Sequence, residues 1–224
     1  MSTAPGGVAE DDGPEPLREG AVEGDLGFER LVFYSDAVFA IVITLLVLPL
    51  TTEIDLAVDG KGLAAAVFSR WPTVLTFVVS FLVVGQFWTA HHRTFGLIER
   101  QDQTLVGLNL LLLLTVAFLP FPAAILGAPN ETRDAFPVVF FASSMTLTSF
   151  ALTAIWLYAV RKGLARAALG PRRIRLVTTR AVVTSGIFAL SVPAALLGLP
   201  VAIAVWMGVI PLARLLVVRV LADR

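Results

Sequence analysis

The stretch ERLVFYSDAVFAIVITLLVLPL, Glu29 to Leu50, decides the fold. From Ala37 to Leu50 its one polar side chain is Thr44. About 20 such residues, wound at 1.5 Å each, span the roughly 30 Å of hydrocarbon in a bilayer. Working outward from this first run, at about 30–50, five more of similar length lie at about 72–91, 104–126, 136–159, 177–197 and 200–219. A backbone in lipid must satisfy its own hydrogen bonds, which leaves helices or a closed barrel. A barrel shows short alternating segments instead of long apolar runs. The sequence therefore predicts an all-α, polytopic membrane protein with six transmembrane helices.

Composition supports this. Of 224 residues, 57% are hydrophobic and 15% charged, and the mean hydropathy is +0.83. Soluble domains carry about 25% charged residues. The shortfall excludes a soluble globular enzyme, a disordered protein and a nucleic-acid binder resting on a basic surface. With no cysteine, a disulfide framework, a thiolate metal site and a Cys nucleophile are excluded too.

The zero formal charge hides an uneven distribution. Up to Glu29 there are eight acids and one arginine, and between Asp134 and Asp223 there is no acid. Residues 1–28 are rich in Gly, Pro, Ala and acid without apolar periodicity, and are predicted to be a disordered acidic tail. Residues 29–224 then form one six-helix domain. An acidic approach to the first apolar run is not that of a signal peptide, so the run is expected to persist in the mature protein. The connections at 51–71 and 127–135 carry Glu53, Asp55, Asp59, Glu131 and Asp134 against Lys61, Arg70 and Arg133. Those at 91–103 and 160–180 carry His91, His92, Arg93 and Arg100, then Arg161, Lys162, Arg166, Arg172, Arg173, Arg175 and Arg180. Lys and Arg gather on the cytoplasmic side, so these basic connections and both termini are expected inside the cell. Residues 161–169 have the composition of a short interfacial helix, and Pro129-Asn130 and Leu199-Pro200 read as turns.

Polar residues within the spans mark where function lies. Asp36 is the acid set well inside an apolar run, and a charge there costs from about 2.5 kcal/mol upward unless it is partnered. Arg30, His91, His92 and Arg93 are the expected partners. Further on, Gln86, Trp88, Thr89 and Asn109 complete a polar cluster across the second and third spans. At 100° per residue with Ile41 at zero, Thr44 falls at about −60°, Leu45 at about +40° and Leu48 at about −20°. These four share one stripe, either packed core or a surface lined by Thr44's hydroxyl. Adjacent His91 and His92 point apart and do not form a metal pair at i, i+4 spacing, so no metal and no cofactor is expected. A Ser35–His–Asp36 triad can be written down, but adjacent Ser and Asp place the acid poorly to orient the histidine.

Arg30-Leu31-Val32-Phe33-Tyr34-Ser35-Asp36, followed by AVFAIVITLLVLPL, resembles the signature of the transmembrane protein 175 family of endosomal/lysosomal potassium channels and their prokaryotic relatives. The likeness continues in Phe87-Trp88, in His91-His92-Arg93 and in LNLLLLLTVAFLPFP, Leu108 to Pro122, and thins over the last three spans. Tyr34 departs from the Phe usual in the family. The resemblance implies a homotetramer in a bacterial plasma membrane, its central pore lined by the first helix and conducting K⁺ and other monovalent cations with weak selectivity. It places the apolar pore layer on Ile41, a threonine ring on Thr44 and an outer leucine layer on Leu48, with Leu45 beside them. Arg30, Ser35, Asp36, Trp88, His91, His92 and Asn109 are then the scaffold of the pore helix. No TVGYG carbonyl filter occurs, so selectivity is expected at a ring of side chains, a hydrophobic gate. The competing expectations are a proton-coupled transporter using Asp36 and His91, and an intramembrane hydrolase using Ser35.

Overall fold

The structure, a computed structural model, describes residues 16–52, 70–128 and 134–222. Glu53, Asp55, Asp59, Lys61, Glu131, Arg133 and the Pro129-Asn130 turn lie outside the described residues, as do residues 1–15 of the acidic leader. Among the described residues, six helical stretches are long and apolar enough to cross a membrane: Leu26–Leu50, Trp71–Phe95, Gln103–Gly127, Phe136–Arg161, Pro171–Leu197 and Leu199–Val217. These coincide with the six runs read from the sequence, most edges moving by a few residues. The fifth starts six residues earlier, because Arg172, Arg173 and Arg175 lower the hydropathy of a helix that Pro171 has already opened.

In chain order the elements are α1 (Pro16–Leu45), α2 (Leu48–Thr52), α3 (Trp71–Phe95), α4 (Gln103–Phe118), α5 (Pro120–Gly127), α6 (Phe136–Arg161) and α7 (Pro171–Ala194). A 3-10 turn (Ala195–Leu197), α8 (Leu199–Ala204), a π turn (Val205–Val209) and α9 (Ile210–Ala222) follow. Helix α1 begins at Pro16, so residues 16–28, expected as tail, are helical where described. Proline suits a first helical position, and Leu, Ala, Glu and Arg in this segment are good helix formers that its glycines disguise.

Proline sets each interruption. Pro49 has no N–H for the carbonyl of Leu45, so α1 stops there and the chain turns at Leu46–Val47 before α2. Val47 N–H bonds the Thr44 carbonyl at 3.3 Å across that turn. Pro120 likewise separates α4 from α5 at the fully buried Leu119. Gly198, at φ 107°, makes the hairpin after Pro193 that the sequence signalled, and the π turn stands just ahead of Pro211.

Helix α6 packs along α7 and against α4, α9 folds back on α7, and α1 lies on α3 and α4. Polar side chains join the long helices where lipid offers no partner. Thr146 donates to the Phe188 carbonyl at 2.9 Å, Ser185 pairs with Ser149 at 2.8 Å and with Thr153 at 2.7 Å, and Trp156 Nε1 donates to Thr178 at 2.9 Å. Phe141, Met145, Trp156 and Trp206 are buried around this seam.

Residues 161–169 are not the interfacial helix expected from composition: Arg161 is the last residue of α6, and 162–169 are non-helical. Gly163, at φ 66°, ends α6. The chain then runs antiparallel to the other basic connection through a bridge between Ile98 and Ala165. Glu99 N–H donates to the Leu164 carbonyl at 2.9 Å and Arg166 N–H to that of Leu97 at 3.0 Å. The available main-chain partners outweigh a helix of nine residues, too short to stand alone. Asp102 caps α4 by accepting the Leu105 N–H at 2.7 Å and accepts the Tyr158 hydroxyl at 2.7 Å. Those two bonds hold its carboxyl below the usual carboxylate range.

Candidate functional site

Helix α1 has two faces of opposite character. Ser35, Phe39, Val42 and Leu46 point into the chain's own bundle and are buried. The opposite side carries Arg30, Tyr34, Ala37, Ile41, Thr44 and Leu45, all exposed, and Leu48 continues it beyond the break. Ile41 is 59% exposed, Leu48 49% and Leu45 39%. At 100° per residue, Arg30, Tyr34, Ala37 and Ile41 fall within about 60° of one another. The stripe predicted through Ile41, Thr44 and Leu45 is thus an outward surface, not packed core. Leu48 reaches the same side across the Leu46–Val47 turn rather than by uninterrupted helical register. Thr44 donates its hydroxyl proton to the Ile41 carbonyl at 2.7 Å. Its oxygen keeps lone pairs on the exposed side, so this threonine presents an acceptor there.

The buried face is fastened by a directed chain of hydrogen bonds. Ser35 Oγ donates to the Leu31 carbonyl at 2.8 Å, and Asn109 Nδ2 donates to Ser35 Oγ at 2.9 Å. Asn109 Oδ1 stands 3.0 Å from His91 Nε2. Because Ser35 has spent its proton on Leu31, it can only accept from Asn109. That fixes the amide orientation and makes His91 Nε2 the donor to Asn109. All three side chains are fully buried. The His91 ring stacks on Phe95 at 4.3 Å and lies 5.5 Å from Phe39. Residues of α1, α3 and α4 therefore meet in one polar knot at the end bearing the basic connections. Ser35 and His91 do not bond to each other, since Asn109 stands between them, and the nucleophile–base contact of the hydrolase expectation is not formed.

Asp36 is corrected most clearly. Its partner is Trp88, whose indole Nε1 donates to Oδ1 at 2.8 Å, and not one of the cations proposed from the sequence. Among the described residues Asp36 makes no ion pair with Arg30, His92 or Arg93. The carboxylate is partly exposed at the edge of α1 and is served by a neutral donor. Arg30 lies on the outward stripe, outside the knot. His92 is exposed with its ring 5.8 Å from that of Trp88. Trp88 was in the sequence-derived scaffold, but spacing alone could not pair residues 52 positions apart. A hydrogen bond to a charged acceptor is worth about 1.5–3 kcal/mol. A double-mutant cycle of Trp88→Phe and Asp36→Leu, read by unfolding in detergent, is expected to return coupling of that order; coupling within about 0.3 kcal/mol of zero would deny the bond a positioning role.

The family described as endosomal/lysosomal potassium channel TMEM175 matches residues 30–120, the segment holding the outward stripe and the whole polar knot. The solved structure of a lysosomal potassium-selective channel TMEM175 homolog from Chamaesiphon minutus superposes with a TM-score of 0.74. That likeness is 26% identical and covers 85% of this chain and 98% of that one, so it extends well beyond residues 30–120. Over residues 30–120 the chain resembles the TMEM175 family. A potassium channel of Streptomyces collinus is 38% identical over 136 residues, 60% of this chain and 65% of the relative. The zebrafish (Danio rerio) endosomal/lysosomal proton channel TMEM175 is 35% identical over 104 residues, 46% of this chain and 20% of the relative. The matched part thus falls short of two thirds of either relative's length. Six apolar spans and this kinship make the chain a membrane protein.

Proposed function

We propose that this chain is a TMEM175-type potassium channel subunit, four copies of which enclose a pore lined by α1. The observation that carries the reading is the outward stripe of α1, which its own subunit leaves bare and which lies inside the family-matched segment. Four such faces around an axis bring Ile41 side chains into a ring. An apolar ring offers no ligand to a dehydrated ion and empties of water when narrow. K⁺ passes it more readily than Na⁺ because it gives up part of its hydration shell at lower cost. The Thr44 oxygens, their protons committed to the helix, partly replace the water lost. Leu45 and Leu48 widen the apolar lining outward. The polar knot and the Trp88–Asp36 bond hold α1 at a fixed rotation, so that Ile41 faces the axis. Both termini and the basic connections face the cytoplasm of a bacterial cell.

A proton carrier through Asp36 and His91 has less support. His91 is fully buried and tied to Asn109, and the half-exposed Asp36 is bonded to Trp88 on a different edge of α1. The two readings separate in planar bilayers or proteoliposomes under a voltage jump with pH equal on both sides. The channel passes ohmic current, larger in K⁺ than in Na⁺. Flux that appears only with a proton gradient would contradict it.

A further inference from the structure

We propose that the cleft between α3, α7 and α9 binds one anionic phospholipid, with its phosphate on Arg93 and Arg180 and its acyl chains along the apolar wall. The cleft encloses about 840 Å³. Phe81, Leu82, Leu152 and Leu215 form its apolar part, and Arg93 and Arg180 stand in it with Thr94. From Leu82 to Arg93 is eleven residues, or about 17 Å along α3. That is close to half the roughly 30 Å hydrocarbon thickness. An amphiphile one leaflet deep has this layout, whereas an acidic peptide has no use for the apolar wall.

Charge points the same way. A second hollow of about 910 Å³ adjoins the first through Arg93, Thr94 and Val177, and adds His92 and Arg173 to its rim. No acid occurs between Asp134 and Asp223, so residues 135–222, which include α6 to α9, supply no carboxylate to neutralise these cations. Asp36 of α1 is engaged by Trp88. The α1 residue at the cleft is Ile43, about 160° round the helix from Ile41. The cleft therefore opens away from the stripe assigned to the pore, on the side where lipid lies. Trp88 lines it as well, so an occupant touches the side chain that holds Asp36.

Native mass spectrometry of the purified full chain with phosphatidylglycerol or phosphatidylcholine tests the site without any ion flux, so its outcome is independent of the channel reading. Phosphatidylglycerol is expected to be retained at least about tenfold better than phosphatidylcholine, since each basic group near an anionic headgroup is worth roughly a factor of five. The double variant Arg93→Gln/Arg180→Gln should lose about thirtyfold of that retention. Arg175→Gln, exposed on α7 outside the cleft, should stay within about twofold and at the same oligomer mass. Equal retention of the two lipids, or an unchanged double variant, would overturn the proposal. So would displacement by inorganic phosphate, which would reduce the site to a headgroup-only anion pocket. Disulfide cross-linking of Leu82→Cys in one copy to Leu215→Cys in another would assign the cleft to a neighbouring copy. Lipid binding that appeared only after deletion of residues 2–15 would assign it to the acidic leader.

Discussion

Ile41→Asn makes the channel pass more current and discriminate less between K⁺ and Na⁺. The substitution replaces the exposed apolar side chain at the centre of the α1 stripe with an amide that holds water. A constriction that empties when narrow then stays hydrated, and ions cross with more of their shells intact. Lowering the barrier by about 1.4 kcal/mol raises current about tenfold. As the partial dehydration that separates the ions disappears, the permeability ratio falls toward one. The comparison that makes this informative is Val42→Asn, one residue on and 2% exposed. There the amide enters the packed interior at a cost of about 1–3 kcal/mol. Protein yield and thermal stability should fall, while whatever assembles keeps the wild-type ratio. Paired bi-ionic reversal potentials and thermal unfolding measure both. Equal effects of the two variants on the ratio would show that the faces of α1 are not functionally distinct.

The second large effect concerns Asn109, the centre of the polar knot. Asn109→Ala removes the acceptor of His91 Nε2 and the donor to Ser35 Oγ together. It leaves the His91 N–H unsatisfied and buried between Phe39 and Phe95. An unsatisfied buried group costs about 1–3 kcal/mol. Loss of about 2 kcal/mol is expected, read by unfolding in detergent, with a matching fall in assembled channel. Adding His91→Phe removes the stranded donor and keeps the ring stack, so the double variant should lose less than the sum of the singles. Simple additivity would mean that the two side chains do not act as a unit.

How far these features were legible in the sequence depends on their range. The six spans were readable because lipid imposes a length and a composition that no local competition disguises. The α1 stripe was readable as geometry, since three of its four members fall before any helix break. Its direction was not: angle arithmetic says which residues share a face, and only packing says which face the bundle buries. Leu48 lies past the interruption set by Pro49, where register arithmetic no longer applies. The polar knot was readable as a set and not as a network, because Asn109 meets Ser35 across 74 residues and His91 across 18. Charge chemistry favoured a cation for Asp36, and the indole of Trp88 won because α3 places it within reach. Arg30 was grouped with the scaffold through the family resemblance, yet helical rotation carries it to the outward side. The segment 161–169 misled because its composition suits a helix while its hydrogen-bond partners lie at Leu97 and Glu99.

The chain contains no cysteine, so a single Ile41→Cys substitution supplies the only thiol in each copy. Four thiols converging on one axis form a site for a soft divalent cation such as Cd²⁺, as thiolates do for Zn²⁺. The decisive measurement is the K⁺ current of Ile41→Cys before and after Cd²⁺, beside wild type and Val42→Cys. If Ile41 lines the permeation path, Cd²⁺ suppresses the Ile41→Cys current by about tenfold or more, the shift from a bound ion worth at least 1.4 kcal/mol at the constriction, and leaves the other two unchanged. An Ile41→Cys current indifferent to Cd²⁺, or a Val42→Cys current equally suppressed, would contradict the account.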